Sequence, residues 1–275
     1  MMPVHHVSAA GAAFAVHTAG SGMPLVLLHA FPLDHRMWAG QAPLAEHLRL
    51  VAPDLRGFGG SGGSTAASIA GLADDVAALL DALHVREPAV ICGLSMGGYV
   101  AQHVAVRHPD KVAALVLADT KLEADTPEAR AARVDLAGKV GRLGPRILAE
   151  AMIPRLLAAS GTVGRAAHEE ALRRIIEEQS VPSIQAALAA LGDRPDMTEP
   201  LRHVRVPTLL VVGAEDAITP PECLERAERI MPCGRLLIVP GAGHMTPLEA
   251  PSVFNAAVLE FLGAAPGTLG GGRSA

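Results

Sequence analysis

A mostly parallel α/β sheet, interrupted once by an all-helical insertion, is the fold class this sequence predicts. Three observations carry it. Continuous apolar runs alternate with helical-period segments over residues 14–119 and again over 207–262, the pattern of strands covered on both faces and their crossover helices. From Thr126 to about Pro200 there is no good strand but several helical segments. One apolar run, Val90 to Leu94, breaks abruptly at Ser95 inside Gly93-Leu94-Ser95-Met96-Gly97 and continues as a small-residue helix from Tyr99 to His108.

In order, Phe14–Thr18 reads as a strand closed by the turn Gly20-Ser21-Gly22, and Pro24–His29 as a strand leading into Ala30-Phe31-Pro32-Leu33-Asp34. Trp38–Leu48 is expected to be helical, and Leu50–Leu55 to be a strand followed by a glycine-rich loop to Ser61. Over Ile69–Leu83 the apolar residues Leu72, Val76, Leu79, Leu80 and Leu83 recur with helical period. After the Ser95 unit, Ala113–Leu117 is a strand ending near Asp119.

In the insertion, Thr126-Pro127-Glu128 combines an N-cap, a first-turn proline and an acidic first turn. Pro145 opens a second helix, which Pro154 is expected to stop or kink. Arg165–Gln179 is amphipathic, with Ala167, Ala171, Leu172 and Ile175 expected inside and the pairs Glu169/Arg173 and Glu170/Arg174 outside. Ser180–Leu191 is a last helix ended by Gly192. The α/β pattern resumes with strand Pro207–Gly213, helix Pro221–Ile230, strand Arg235–Val239 and helix Pro251–Leu262. The domains expected are a core of residues 1–121 and 201–263, a helical cap of 122–200, and a glycine-rich disordered tail of 264–275.

A chain of 275 residues can bury one large core with a small extra subdomain. The net charge of −5 implies no basic face, so nucleic acid is not an expected partner. Cys92, Cys223 and Cys233 fit neither a disulfide framework nor a metal-ligand spacing, which suits a reducing compartment. The N-terminal residues do not read as a signal peptide, and no apolar run approaches the roughly 20 residues of a membrane span. A cytoplasmic protein without a membrane partner is therefore expected.

The chemistry centres on Ser95. A tight strand-to-helix turn strains the serine backbone and pushes its hydroxyl outward, beside a helix N-terminus that favours a developing anion. A serine hydroxyl needs a base, and the base needs a carboxylate to hold its tautomer. The later strands offer both at their C-terminal ends, where an open parallel sheet places its site. Leu209-Leu210-Val211-Val212 leads into Gly213-Ala214-Glu215-Asp216, and Leu237-Ile238-Val239 into Pro240-Gly241-Ala242-Gly243-His244. Asp216 suits the acid role, with Glu215 and Asp119 as open alternatives. His29 reads as a residue that holds the Phe31 loop, Arg56 as a tie between loops, and Cys92 as a small buried strand residue.

These three motifs, in the order Ser95, Asp216, His244, resemble the α/β-hydrolase family over about residues 10 to 262. The resemblance implies an eight-stranded, mostly parallel sheet flanked by helices, with the helical cap inserted after the sixth strand. It implies that Ser95 is the nucleophile, Asp216 the acid and His244 the base. It places the oxyanion hole on the backbone N–H groups of Phe31 and Met96. Many members carry His-Gly where this chain has His29-Ala30. Gly-Leu-Ser-Met-Gly-Gly, the Phe-Pro-Leu-Asp loop and the helical cap look like the 3-oxoadipate enol-lactonase and small carboxylesterase branch. That branch implies a small-molecule ester or lactone substrate, no metal or organic cofactor, and leaves a homo-oligomer open. Carbon–carbon bond hydrolysis or cofactor-free perhydrolase/haloperoxidase chemistry on the same triad, or a non-catalytic scaffold binding a small ligand, are the alternatives. The aromatic residues lie outside the insertion, whose apolar side chains are aliphatic. Trp38, Met152 and Leu156 are the substrate-binding candidates, and Ile147–Leu157 is the segment expected to lean over Ser95.

Overall fold

The computed structural model describes residues 3–63, 68–161 and 164–263; the tail expected over 264–275 lies outside the described residues. Strands β1 (Val4–Ala9), β2 (Ala12–Ala19), β3 (Pro24–Leu28), β4 (Arg49–Pro53), β5 (Ala89–Leu94), β6 (Val112–Ala118), β7 (Thr208–Gly213) and β8 (Gly234–Val239) form one sheet. Their spatial order is β1-β2-β4-β3-β5-β6-β7-β8. β1 and β2 pair antiparallel, as do β2 and β4; from β4 to β8 the pairing is parallel. Every residue of β3, β5 and β7 is buried, which is why these strands read as unbroken apolar runs. Helices α1 (Ile69–Ala82) and α2 (Met96–Arg107) pack on each other, and α8 (Pro221–Ile230) packs on β7 and β8. The fold is the α/β-hydrolase architecture that the resemblance implies.

β1 has no counterpart among the strands read from local pattern. Its residues Val4-His5-His6-Val7-Ser8-Ala9 are mostly exposed, so no buried face marks it; it forms because Ala10 and Gly11, both at positive φ, close a tight hairpin onto β2. Trp38–Leu48 is not an α-helix. A 3₁₀ segment spans His35–Glu46, opened by the Asp34 side chain, which accepts the Arg36 N–H, and Pro43 inside it removes a backbone donor.

Between β6 and β7 the chain forms α3 (Pro127–Leu143), α4 (Arg146–Leu156), α5 (Arg165–Glu177), α6 (Val181–Gly192) and the short α7 (Thr198–Leu201). Thr126 and Ser180 cap α3 and α6 by accepting the N–H groups of Ala129 and Ser183. Pro154 lies within α4, which ends two residues later at Leu156. Leu172, Ile175 and Ile176 form the buried face of α5, whereas Ala167 is exposed, contrary to expectation. The i, i+4 pairs found on α5 are Arg165–Glu169 and Arg173–Glu177, in place of the expected Glu169/Arg173 and Glu170/Arg174. α3 packs on α6, and α4 on α5.

Polar contacts dock these helices on the core, two clusters of them away from Ser95. At the first, the buried Gln179 accepts the Gly59 N–H at 3.0 Å and donates to Asp34 Oδ2 at 3.1 Å, while Arg36 pairs with both Asp34 and Glu178. At the second, the segments entering and leaving the cap meet. Arg194 and Asp125, each with only 2% of the side chain exposed, pair at 2.8 Å. Arg133 joins them, and the Arg194 guanidinium lies 4.2 Å from the Tyr99 ring centroid on α2. Burial opposes the charge on Asp125, but the two guanidinium groups outweigh it and hold the carboxyl down at about 2. Removing one partner of such a pair strands a buried charge. Asp125→Ala is therefore expected to lower the free energy of unfolding by about 3–5 kcal/mol in urea denaturation.

Candidate active site

Ser95 sits between β5 and α2 at φ 52° and ψ −109°, a backbone conformation that a side chain disfavours. Its side chain makes no capping bond to α2, so the hydroxyl is not engaged by the helix it opens. The turn is tight enough to exclude side chains around it. A Cβ on Gly93 would lie 2.1 Å from the Gly97 carbonyl oxygen, and a Cβ on Gly97 would lie 2.0 Å from that of Leu28. The first turn of α2 therefore rests directly on the end of β3, beside the loop that holds Phe31. Thr120 packs on Gly98 and donates its hydroxyl to the Ser95 carbonyl at 3.1 Å.

The Phe31 loop is held from behind. His29 is fully buried, and its Nε2 accepts the Leu55 N–H at 2.9 Å. That donor makes Nδ1 the protonated nitrogen, which donates to the Ala30 carbonyl at 3.0 Å. Burial keeps the imidazole below its usual range, so this tautomer is neutral. The Ala30 N–H meets Met37 Sδ at 3.2 Å, and the Leu33 N–H returns to the Ala30 carbonyl. Ala30 is not among the described residues at positive φ, so the alanine at a glycine position of the family introduces no strain there. The Met96 N–H is the first of α2 and has no helical acceptor.

The ends of β5, β6 and β7 are stitched in sequence. Ser95 N–H donates to the Ala118 carbonyl, Asp119 N–H to the Val211 carbonyl, and Gly213 N–H to Asp119 Oδ1. A Cβ on Gly213 would lie 2.1 Å from the Gly243 oxygen, so the loop carrying His244 is pressed onto the end of β7. There His244 Nδ1 meets Asp216 Oδ2 at 2.8 Å, with both side chains buried. Asp216 Oδ1 accepts the N–H groups of Ile218 and Thr219, and Thr219 Oγ1 donates to Oδ2 at 2.7 Å. Burial opposes the charge on Asp216, but the adjacent imidazole and these N–H donors outweigh it and hold the carboxyl below its usual range. A charged Asp216 accepts a hydrogen bond from Nδ1–H, which keeps the proton on Nδ1 and leaves Nε2 of His244 bare, the state a general base needs.

The other carboxylates have different work. Asp119 accepts from Gly213 N–H and from both the hydroxyl and N–H of Thr246. Burial and the charge of Asp216 push its carboxyl well above the usual range. Glu215 is half-buried and binds the Ser160 N–H and hydroxyl of the cap at 2.9 and 2.5 Å. Arg56 ties Asp75 of α1 to the Ala10 carbonyl, and Cys92 is buried in β5.

The three pocket candidates lie on two elements, Trp38 on the 3₁₀ segment and Met152 and Leu156 on α4. Trp38 is fully buried in the core, 6.3 Å from the Phe254 ring on α10 (Pro251–Phe261), because the 3₁₀ segment packs on that helix. Met152 is half-buried and Leu156 buried on α4, whose end rests on Gly243: a Cβ there would lie 2.5 Å from Ala158 N and 2.7 Å from the Leu157 carbonyl carbon. Among the described residues His17, His35 and Asp54 form a cluster of metal-ligating type. The two imidazoles stack 3.3 Å apart and nearly parallel, so their in-plane lone pairs cannot converge on one ion. Asp54 is already engaged by His35 and the Gly60 N–H.

Local sequence reading missed Thr219, Thr246 and Glu249. Thr219 had a signal, since aspartate followed three residues later by threonine is a side-chain-to-backbone turn pattern. Thr246 and Glu249 each have a near partner in Gly243, but the partners that tie them to other loops, Asp119 and Ala158, are distant in sequence.

The chain belongs to the α/β hydrolase fold family, whose sequence profile matches residues 23–251. A pimeloyl-[acyl-carrier protein] methyl ester esterase of Edwardsiella ictaluri is 32% identical over 255 residues, 89% of this chain and 95% of the relative. A thermophilic esterase from Thermogutta terrifontis superposes with a TM-score of 0.90 at 37% identity, covering 94% of this chain and 98% of its own. An enol-lactonase from Burkholderia xenovorans LB400 superposes with a TM-score of 0.87 at 25% identity, covering 94% and 99%. Among the described residues no helix is long and apolar enough to cross a membrane.

The close approach at Gly97 is a direct stability requirement. A methyl group there meets backbone that cannot rotate away, so Gly97→Ala is expected to cost about 3 kcal/mol, read as a fall in Tm together with the denaturant midpoint.

Proposed function

We propose that this member of the family hydrolyses carboxylic esters of aliphatic acids, with Ser95 as nucleophile, His244 as base and Asp216 as the acid that orients it. The observation that carries the reading is the 2.8 Å hydrogen bond from His244 Nδ1 to a buried, charged Asp216, on loops stitched beside the strained turn of Ser95. In this mechanism the Ser95 hydroxyl attacks the acyl carbon as His244 Nε2 takes its proton. The oxyanion is received by the N–H groups of Phe31 and Met96, preorganised by His29 behind the one and by α2 behind the other. His244 then protonates the departing alcohol and activates water to cleave the acyl-enzyme.

Ester hydrolysis is favoured over lactone opening by the relatives. The esterases include the more similar chains, at 32% and 37% identity, against 25% for the enol-lactonase. The aliphatic acyl preference is supported by α4, which brings Met152 and Leu156, and no aromatic ring, to the end of the cap that rests on Gly243. Each methylene buried there is worth about 0.8 kcal/mol until the space is filled.

Ser95→Ala is expected to fold as the parent does and to lose about 10⁴-fold or more in kcat. Asp216→Asn is expected to lose about 10⁴-fold, and Asp119→Asn and Glu215→Gln far less, since neither touches the imidazole. Activity of Ser95→Ala within tenfold of the parent would refute the nucleophile. Across p-nitrophenyl esters from acetate to decanoate, kcat/KM is expected to rise to a medium chain and then fall, with benzoate poor; methyl esters are expected to outperform lactones of the same acyl length. Benzoate as the best substrate, or lactones as the better class, would refute that part.

A further inference from the structure

One carboxylate touches both the loop of the base and the end of the cap helix. Glu249 closes α9 (Thr246–Glu249), five residues after His244. Its Oε1 accepts the N–H of Gly243, the residue before His244, at 2.9 Å. Its Oε2 accepts the N–H of Ala158, just beyond the end of α4, at 2.8 Å. The two N–H groups belong to backbones already in contact, because Gly243 has no side chain to separate them. Ala158 is fully buried, and its carbonyl is taken by the Arg165 guanidinium. Two residues on, Ser160 is held by Glu215, the neighbour of Asp216, and the Arg155 guanidinium reaches the Ala217 carbonyl at 3.2 Å. The segment 158–160 is thus fastened to the loops of both Asp216 and His244. Charge-assisted bonds to backbone N–H groups are stronger than neutral ones, and two from one carboxylate fix a distance between two loops.

We propose that Glu249 is a positioning residue that couples the seat of the cap to the base: its carboxylate sets where α4 ends relative to the peptide that carries His244. The inference rests on the reading of Ser95 and His244 given under the proposed function. When α4 is seated, the loop of His244 is held; when α4 lifts, Glu249 loses one of its two partners and the loop loses its brace. Acyl-chain recognition by Met152 and Leu156 and the placement of the base are thereby joined through one side chain. Glu215 supports the same segment from the acid side without touching the base loop's N–H.

The test uses the full chain, a fluorophosphonate probe for the nucleophilic serine, and the p-nitrophenyl ester series. In Glu249→Gln the amide keeps one acceptor oxygen and turns an NH₂ group toward the other N–H, so both partners cannot be held. The expected result is a fall of about ten- to a hundredfold in both kcat and the labelling rate, the range that a misplacement near 1 Å produces. The dependence of KM on acyl length is expected to flatten at the same time. Unchanged kcat, labelling rate and chain-length dependence in a folded variant, even with a lowered Tm, would overturn the proposal. If Glu249→Gln does not fold, Glu249→Asp keeps the charge but is one methylene too short to span both N–H groups, and the same two outcomes decide. A parent chain that the probe leaves unlabelled would overturn the serine-nucleophile reading and this inference together; a labelled parent with an indifferent variant overturns the inference alone.

Discussion

The structure depends on a backbone-to-backbone approach at the strand-to-helix turn of Ser95. Carbonyl groups of β3 and of α2 itself lie about 2 Å from where side chains would begin at Gly97 and Gly93. Only glycine permits that approach, and the approach does three things at once. It holds Ser95 at a positive φ, puts the N-terminus of α2 against the end of β3, and so brings the Phe31 loop beside the turn. The strain is carried by the surroundings: β5 is buried throughout, Thr120 binds the Ser95 carbonyl, and His29 locks the loop opposite.

Around this turn the electrostatics are divided between two buried carboxyl groups at the ends of neighbouring strands. Two like charges so close cannot both be comfortable in a buried site. Asp216 has the imidazole and directed N–H donors and keeps its charge; Asp119, with Asp216 itself as a neighbour, is driven toward the protonated form while still accepting bonds from Gly213 and Thr246. One group thereby serves the histidine, and the other ties the loops that carry them. A similar division of labour appears at the cap. Gln179, Glu215 and Glu249 bind backbone N–H groups across the cap–core boundary.

What the sequence determined by itself is the set of features written in short range. Buried strands announce themselves as apolar runs, α1 and α5 by their period, α3 and α6 by caps, and the Ser95 turn by its glycines. The loops of Asp216 and His244 were likewise visible as polar breaks after apolar runs. What tertiary structure alone decided has its cause at long range. β1 carries no buried face and exists through a hairpin. Trp38 stands near the Phe31 loop in sequence yet packs on Phe254, because the 3₁₀ segment docks on α10. The roles of Asp119, Glu249 and Gln179 lie in hydrogen bonds to residues 91 to 145 positions away along the chain, apart from their local ones. Periodicity and capping report how a segment meets its immediate neighbours; they are silent on which distant N–H a carboxylate will find, since that is set only when the sheet has assembled and closed the distance.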